Sequence, residues 1–174
     1  MTCWKVKWKE FRLRYSRTEG TKMEIKKIEF SEKPRVEDAL TVWPDLNPGI
    51  QILLDPGSVR KNSVKVIYCF GLLGHYPSSK AEAALESLYQ LLESGGQIYI
   101  IEPDIEYLAR AVVGGDISIK DLNKDFIRKS YYSKDLLLEM MSSVGFDADK
   151  ILEWREGLKF EKAHYEIVLS AVKK

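Results

Sequence analysis

The stretch "VKVIYCFGLLGHYPSSKAEAALESLYQLLESGGQIYII", residues 64 to 101, constrains this chain more than any other. Two short apolar runs, "VKVIYC" and "QIYII", are rich in branched and aromatic residues, as strands buried on both faces are. Between them Ala81, Ala84, Leu85, Leu88 and Leu91/Leu92 recur at helical spacing. Ser79 and Glu82 have the spacing of a capping box, and Gly95 suits a left-handed helix end. A strand, a helix and a second strand in that order make a crossover, and a crossover of this length joins parallel strands.

The pattern continues on both sides. "IKKIEF", "LTVW" and "IQILL" are further strand candidates upstream. Downstream, "SKDLLLEMMSSVG" reads as a helix capped by Ser133, burying Leu136, Leu137, Met140, Met141 and Val144, and stopped by Gly145. "KILEWRE" and "HYEIVLSAVK" follow, joined by "GLKFEKA", a connection short enough for an antiparallel hairpin. The expected fold is α/β: a doubly wound, mostly parallel sheet that ends in an antiparallel C-terminal hairpin. The N-terminal "WKVKWKEFRLRY" alternates aromatics with Lys and Arg and slips phase near Lys9 and Glu10, the mark of a bulged strand.

Composition narrows the function classes. A chain of 174 residues with 45% hydrophobic and 30% charged residues suits one globular domain with a sizeable core. No apolar run reaches the roughly 18 to 20 residues of a membrane span, and the N-terminus has no signal-peptide core, so a cytoplasmic location and no membrane partner are expected. Cys3 and Cys69 have no CxxC spacing, and His75 and His164 stand far apart, so neither a disulfide framework nor a metal site is expected. Residues 1 to 30 hold nine Lys/Arg against four Glu, which concentrates positive charge at one end.

In order, these motifs resemble a known family. "VKVIYCFGLLGHYP", a helix, "LYQLLESGGQIYIIEPDIEYL" and "SKDLLLEMMSSVGF" with a terminal hairpin look like the second half of a class I S-adenosylmethionine-dependent methyltransferase. The group resembled most is one of small predicted methyltransferases reading "L-x-x-G-G-x-x-x-I-x-x-P-D" into the fifth strand. The likeness covers about residues 40 to 174. Relatives of this kind tend to start near Met23, which makes residues 1 to 22 a basic, aromatic β extension to a domain of residues 23 to 174.

The resemblance implies S-adenosylmethionine as cofactor, held at the carboxyl ends of the strands where strand order switches. It places Asp45 after the second strand, for the ribose hydroxyls, and Asp55 after the third, near the adenine. An ionised carboxylate accepts from two vicinal hydroxyls at once, which suits Asp45. Cys69, Phe70 and Gly71 fall at the end of the fourth, where Gly71 would let a ligand approach the backbone. His75 and Glu102 are the candidates for acceptor chemistry. Each has a plainer reading. Asp45 in "PDLNPG" and Asp55 in "DPGS" are ordinary turn residues, His75 follows a helical turn, and Asp104 fits the N-cap of "IEYLARAV". Tyr131 and Tyr132 are candidate walls of an acceptor pocket or half-buried packing, and the Gly114–Gly115 pair permits a hinge.

One segment departs from the family. Where relatives carry a glycine-rich loop, this chain has "SEKPRVED", Ser31 to Asp38. Ser31, Glu32 and Lys33 add side chains where the backbone should lie against ligand, and Pro34 removes an amide donor. Loss of those contacts costs about 3 to 4 kcal/mol, enough to turn micromolar binding near-millimolar. Lys33 or Arg35 pairing with the cofactor's carboxylate would substitute charge for backbone shape. Two classes of function follow: a methyltransferase acting on an unidentified acceptor, or an inactive methyltransferase fold serving as a binding or oligomerisation module. The N-terminal ribbon supplies the module's surface, by homodimerisation through its strands or, less favoured, by nucleic-acid binding, since alternation on a strand simply turns aromatics inward and charges outward.

Overall fold

Branched residues dominate the strands and leucines and alanines the helices, and each falls where its side chain packs best. A computed structural model of the protein describes residues 25–31, 35–36, 39–42, 59–120, 122, 128–147, 152–153 and 166–174. The N-terminal ribbon, the "IQILL" run, Lys33, Asp45 and Asp55 lie outside the described residues.

The elements in chain order are β1 (Lys27–Phe30), β2 (Leu40–Val42), β3 (Val64–Phe70), a 3-10 turn (Leu73–His75) and α1 (Ser78–Leu91). They continue as β4 (Leu92–Pro103), α2 (Ile105–Gly114), α3 (Lys134–Val144), β5 (Leu152–Glu153) and β6 (Glu166–Val172). The described strands form one sheet in the order β2-β1-β3-β4-β6-β5. β1 pairs in parallel with β2 and β3, and β3 in parallel with β4. β6 runs antiparallel between β4 and β5, which is the expected terminal hairpin. Strand order therefore reverses at the β1–β3 boundary.

Alternation sorts the side chains to two faces. On one, Ile28 and Phe30, Ile67 and Cys69, Ile98 and Ile100, and Ile167 and Leu169 are buried with Leu85 and Leu88 of α1 and Leu137 and Met141 of α3. Tyr89 and Phe146 close the rim of that layer edge to face, with centroids 4.8 Å apart. On the other face Phe70, Ile101 and Val168 form a smaller cluster, against which Val36, Tyr68 and Tyr99 pack. Tyr68 and Tyr99 are register partners, stacked at 5.0 Å and 6°.

Three local expectations are corrected. Helix α1 starts at Ser78, with Pro77 at its N-cap and no side-chain cap, because the proline already holds φ at −56° and aims the chain into the helix. Glu82 is thereby free of the expected box with Ser79 and accepts a hydrogen bond from the Ser143 hydroxyl of α3. Gly95 does take a positive φ of 77°, but inside β4, where the β3–β4 register shifts, rather than at the helix end. Leu136 is 40% exposed; it sits one residue off the stripe set by Leu137, Met140 and Met141. The caps of α3 are as expected: Ser133 Oγ accepts from Leu136 N, and Gly145 is left-handed.

Candidate functional site

The switch in strand order puts the outgoing loops of β1 and β3 side by side, and a buried carboxylate fastens each loop. Glu29, in the middle of β1, is 0% exposed. Alternation with Ile28 and Phe30 turns it to the second face. There it accepts from Ser31 Oγ at 2.5 Å, from Arg35 N at 2.9 and 3.1 Å, and from Val36 N at 3.0 Å. The chain leaving β1 is thus drawn back across the sheet. Val36 packs against the smaller apolar cluster, and the Arg35 guanidinium lies 4.8 Å from the centroid of the Phe70 ring.

Glu102, near the end of β4, is 1% exposed and lies toward the first face. One oxygen accepts from Leu73 N at 2.7 Å. The other accepts from Arg128 Nη1 at 2.8 Å. The same nitrogen donates to Gly71 O at 2.9 Å, so Arg128 joins the end of β4 to the end of β3. Burial pushes the Glu102 carboxyl up to about 7, against the opposing pull of Arg128 and of the Leu73 and Gly74 amides. Among described residues no buried polar side-chain atom is left without a partner.

The segment 128–132 is laid along the loop of residues 71–76. Lys129 N and Ser130 N donate to Gly74 O at 2.9 and 3.3 Å, and Ser130 Oγ donates to Tyr76 O at 2.9 Å. Tyr132 is 1% exposed; its hydroxyl donates to Leu73 O at 3.2 Å, and its backbone bridges to Asp104 at the start of α2.

The candidate residues read from sequence fall as follows. Phe70, nearly buried, forms the apolar lip under Arg35. Gly71 has a φ of 68°, as close backbone approach requires, but the group that approaches is Arg128: a Cβ there would collide with its guanidinium. Cys69 points its thiol into the core, where burial and then the charge of Glu102 push its pKa well up. His75 ends the 3-10 turn, partly exposed. Glu102 has both oxygens engaged. Asp104 caps α2 by accepting from Glu106 N at 2.9 Å, and Tyr132 packs inward. Asp45 and Asp55 lie outside the described residues.

Sequence reasoning passed over Glu29 and Arg128. A lone acid inside the apolar "IEF" was a usable signal for Glu29, since a buried charge must find partners. Nothing local marks Arg128, whose partners are 26 and 57 residues away.

No protein-family model matches the chain, and no curated protein matches it. Solved structures do. A SAM-dependent methyltransferase, possible histamine N-methyltransferase, from Thermotoga maritima superimposes with a TM-score of 0.54 at 15% identity, over 96% of this chain and 94% of that one. A SAM dependent methyltransferase from Archaeoglobus fulgidus gives 0.51 at 13% identity, over 76% and 67%. Against the CurJ carbon methyltransferase the score is 0.49 at 16% identity, with 78% of this chain on only 35% of that one. The chain thus spans about a third of the length of that larger enzyme. Likeness at such identities concerns the fold, and the fold is that of the class I S-adenosylmethionine-dependent methyltransferases.

Proposed function

We propose that this chain binds S-adenosylmethionine between the loops that follow β1 and β3 and transfers a methyl group to a nucleophilic acceptor. The observation that carries this reading is the pair of buried carboxylates, Glu29 and Glu102. Each accepts from backbone amides of one loop at the switch point, and so ties down both walls of the crevice where such sheets bind ligands.

The residues present suit the cofactor through charge more than through backbone shape. Arg35 offers a guanidinium to the methionyl carboxylate from its seat on Phe70. Asp45 and Asp55 remain the proposed partners of ribose and adenine. When bound, the cofactor supplies an electrophilic sulfonium methyl for in-line displacement, with positioning as the main source of rate. His75 is the proposed group to take the acceptor's proton, since both Glu102 oxygens already accept hydrogen bonds and Glu102 serves better as a support.

One observation favours the second reading, an inactive fold used for binding or oligomerisation. The Arg35 and Val36 amides point to Glu29, so they cannot also donate to a ligand as amides of a glycine-rich loop do. Calorimetry with S-adenosylmethionine and S-adenosylhomocysteine separates the two. Micromolar dissociation, weakened at least tenfold by Arg35→Ala or Asp45→Ala, supports the enzyme; no heat at millimolar ligand supports the module. For the module, deletion of residues 1 to 22 should abolish a dimer on sizing chromatography. Loss of a salt-dependent shift of labelled single-stranded RNA in that deletion would assign the ribbon to nucleic acid instead.

A further inference from the structure

The contacts that hold residues 128–132 against the 71–76 loop are visible. Residues 128–132 cross the 71–76 loop and are unevenly held. At one end Tyr132 is buried, its hydroxyl on Leu73 O, its carbonyl accepting from Ile105 N at 3.1 Å and its backbone bridged to Asp104. At the other end the attachments include the Lys129 and Ser130 amides on Gly74 O, the Ser130 hydroxyl on Tyr76 O and the Arg128 side chain. Lys129 is exposed, and Ser130 and Tyr131 are only partly buried. Hydrogen bonds and one ion pair are prominent among what holds this end.

Arg128 sits against the end of β3. Its guanidinium fills the hollow that Gly71 and Gly74 leave by lacking side chains; a Cβ on either residue would strike it. The side chain is 18% exposed, against 1% for Glu102, so the arginine borders solvent and the acid does not. An arginine that moved off Gly71 would regain water, whereas Glu102 would keep the Leu73 amide.

We propose that residues 128–132 act as a hinged cover over the carboxyl end of β3, pivoting at Tyr132, with Arg128 as the latch and Glu102 as the fixed catch. Access to Gly71 is then set by whether the guanidinium is seated. The proposal rests on the crevice being the binding site, as the proposed function has it, but the latch itself does not need the cofactor.

The charged and titratable groups around the catch agree with this. Glu102 meets Arg128 from the cover, Cys69 from β3, Glu166 from β6 and the Tyr132 hydroxyl. Burial pushes its carboxyl up to about 7, so proton uptake near neutrality removes half of the ion pair while leaving an acceptor for Leu73 N.

Amide hydrogen exchange read residue by residue tests the latch in the full chain. Arg128→Ala and Glu102→Gln should each speed exchange at Lys129 and Ser130 at least tenfold, with Arg128→Lys intermediate. Leu73, whose acceptor survives in all three variants, and Ile100 in the sheet should stay within twofold of the parent. Unchanged Lys129 and Ser130 would overturn the proposal, because the backbone bonds to Gly74 would then suffice. A uniform rise across all these amides would also overturn it, as a purely structural pair lowers global stability without a local hinge. Titration of the same samples with S-adenosylhomocysteine keeps the two ideas apart. No binding by the parent chain, with the local exchange pattern intact, removes the cofactor and leaves the cover.

Discussion

At the residue scale the two buried carboxylates differ in what holds them, and the difference is measurable. Glu29 is satisfied by a hydroxyl and two backbone amides. Glu29→Ala leaves those amides unpaired, and charge-assisted bonds of this kind are worth about 1.5 to 3 kcal/mol. The variant should lose about 3 kcal/mol in urea denaturation, and Glu29→Gln, which keeps one acceptor, about half as much. Glu102 has instead a folded pKa of about 7 against an ordinary 4.5, raised by burial. A carboxyl raised in this way holds its proton more tightly folded than unfolded. Its contribution is complete below about 4.5 and is lost as pH climbs through about 7. The span corresponds to about 3 kcal/mol. Urea midpoints between pH 5 and pH 8 should therefore fall in the parent chain and fall less in Glu102→Gln.

At the scale of the element, glycines test which turns are fixed by the chain and which by packing. Gly145, C-cap of α3, has a φ of 115°, and a Cβ there would meet only the Tyr89 ring at an ordinary 3.5 Å. Gly145→Ala should thus cost about 1 kcal/mol from backbone strain alone. Gly114, the last residue of α2, has no positive φ, and a Cβ there would meet only Asp116 Oδ2 at an ordinary 3.5 Å. Gly114→Ala should be neutral or stabilise by up to about 1 kcal/mol. Thermal unfolding of the two variants checks both signs, and an equal loss would contradict the account. The same elements mark how far the sequence could be read. Ser133 and Asp104 were legible because an N-cap side chain accepts from an amide two or three residues on, and Gly145 because a left-handed helix end favours glycine. The start of α1 was misplaced because Ser79 outweighed Pro77, although a proline needs no side-chain bond to start a helix. Glu29 and Arg128 were not legible, since their partners are set by how the loops fold back across the sheet.

For the whole molecule, the order of the strands was readable only as a class, yet it decides how the chain must fold. β6 is the last described strand, and it lies inside the sheet, paired with β4 from Gln97–Val172 to Pro103–Glu166 and with β5 on its other edge. Ile167, Val168, Leu169 and Ala171 are buried, on alternating faces, so β6 contributes to both apolar clusters. Just beyond it Lys173 donates to Asn62 Oδ1, Tyr89 O and Leu92 O at 2.8 to 2.9 Å, which closes carbonyls at the end of α1. Contacts so distant in sequence cannot form until the whole chain is present, and such topologies fold slowly. A chain ending at residue 165 would expose an unpaired β4 edge and open both faces, with each buried Val, Leu or Ile worth roughly 1.5 to 3 kcal/mol. Since a domain's total stability is about 5 to 15 kcal/mol, the loss exceeds what the remainder can bear. The truncated chain should give an unfolded amide spectrum and aggregate through β4. Adding the peptide of residues 166 to 174 in trans should restore dispersion, because β6 reaches β4 by pairing alone. A truncated chain that kept a cooperative melt would show instead that β1, β3, β4 and the two helices on the first face are a folding unit by themselves.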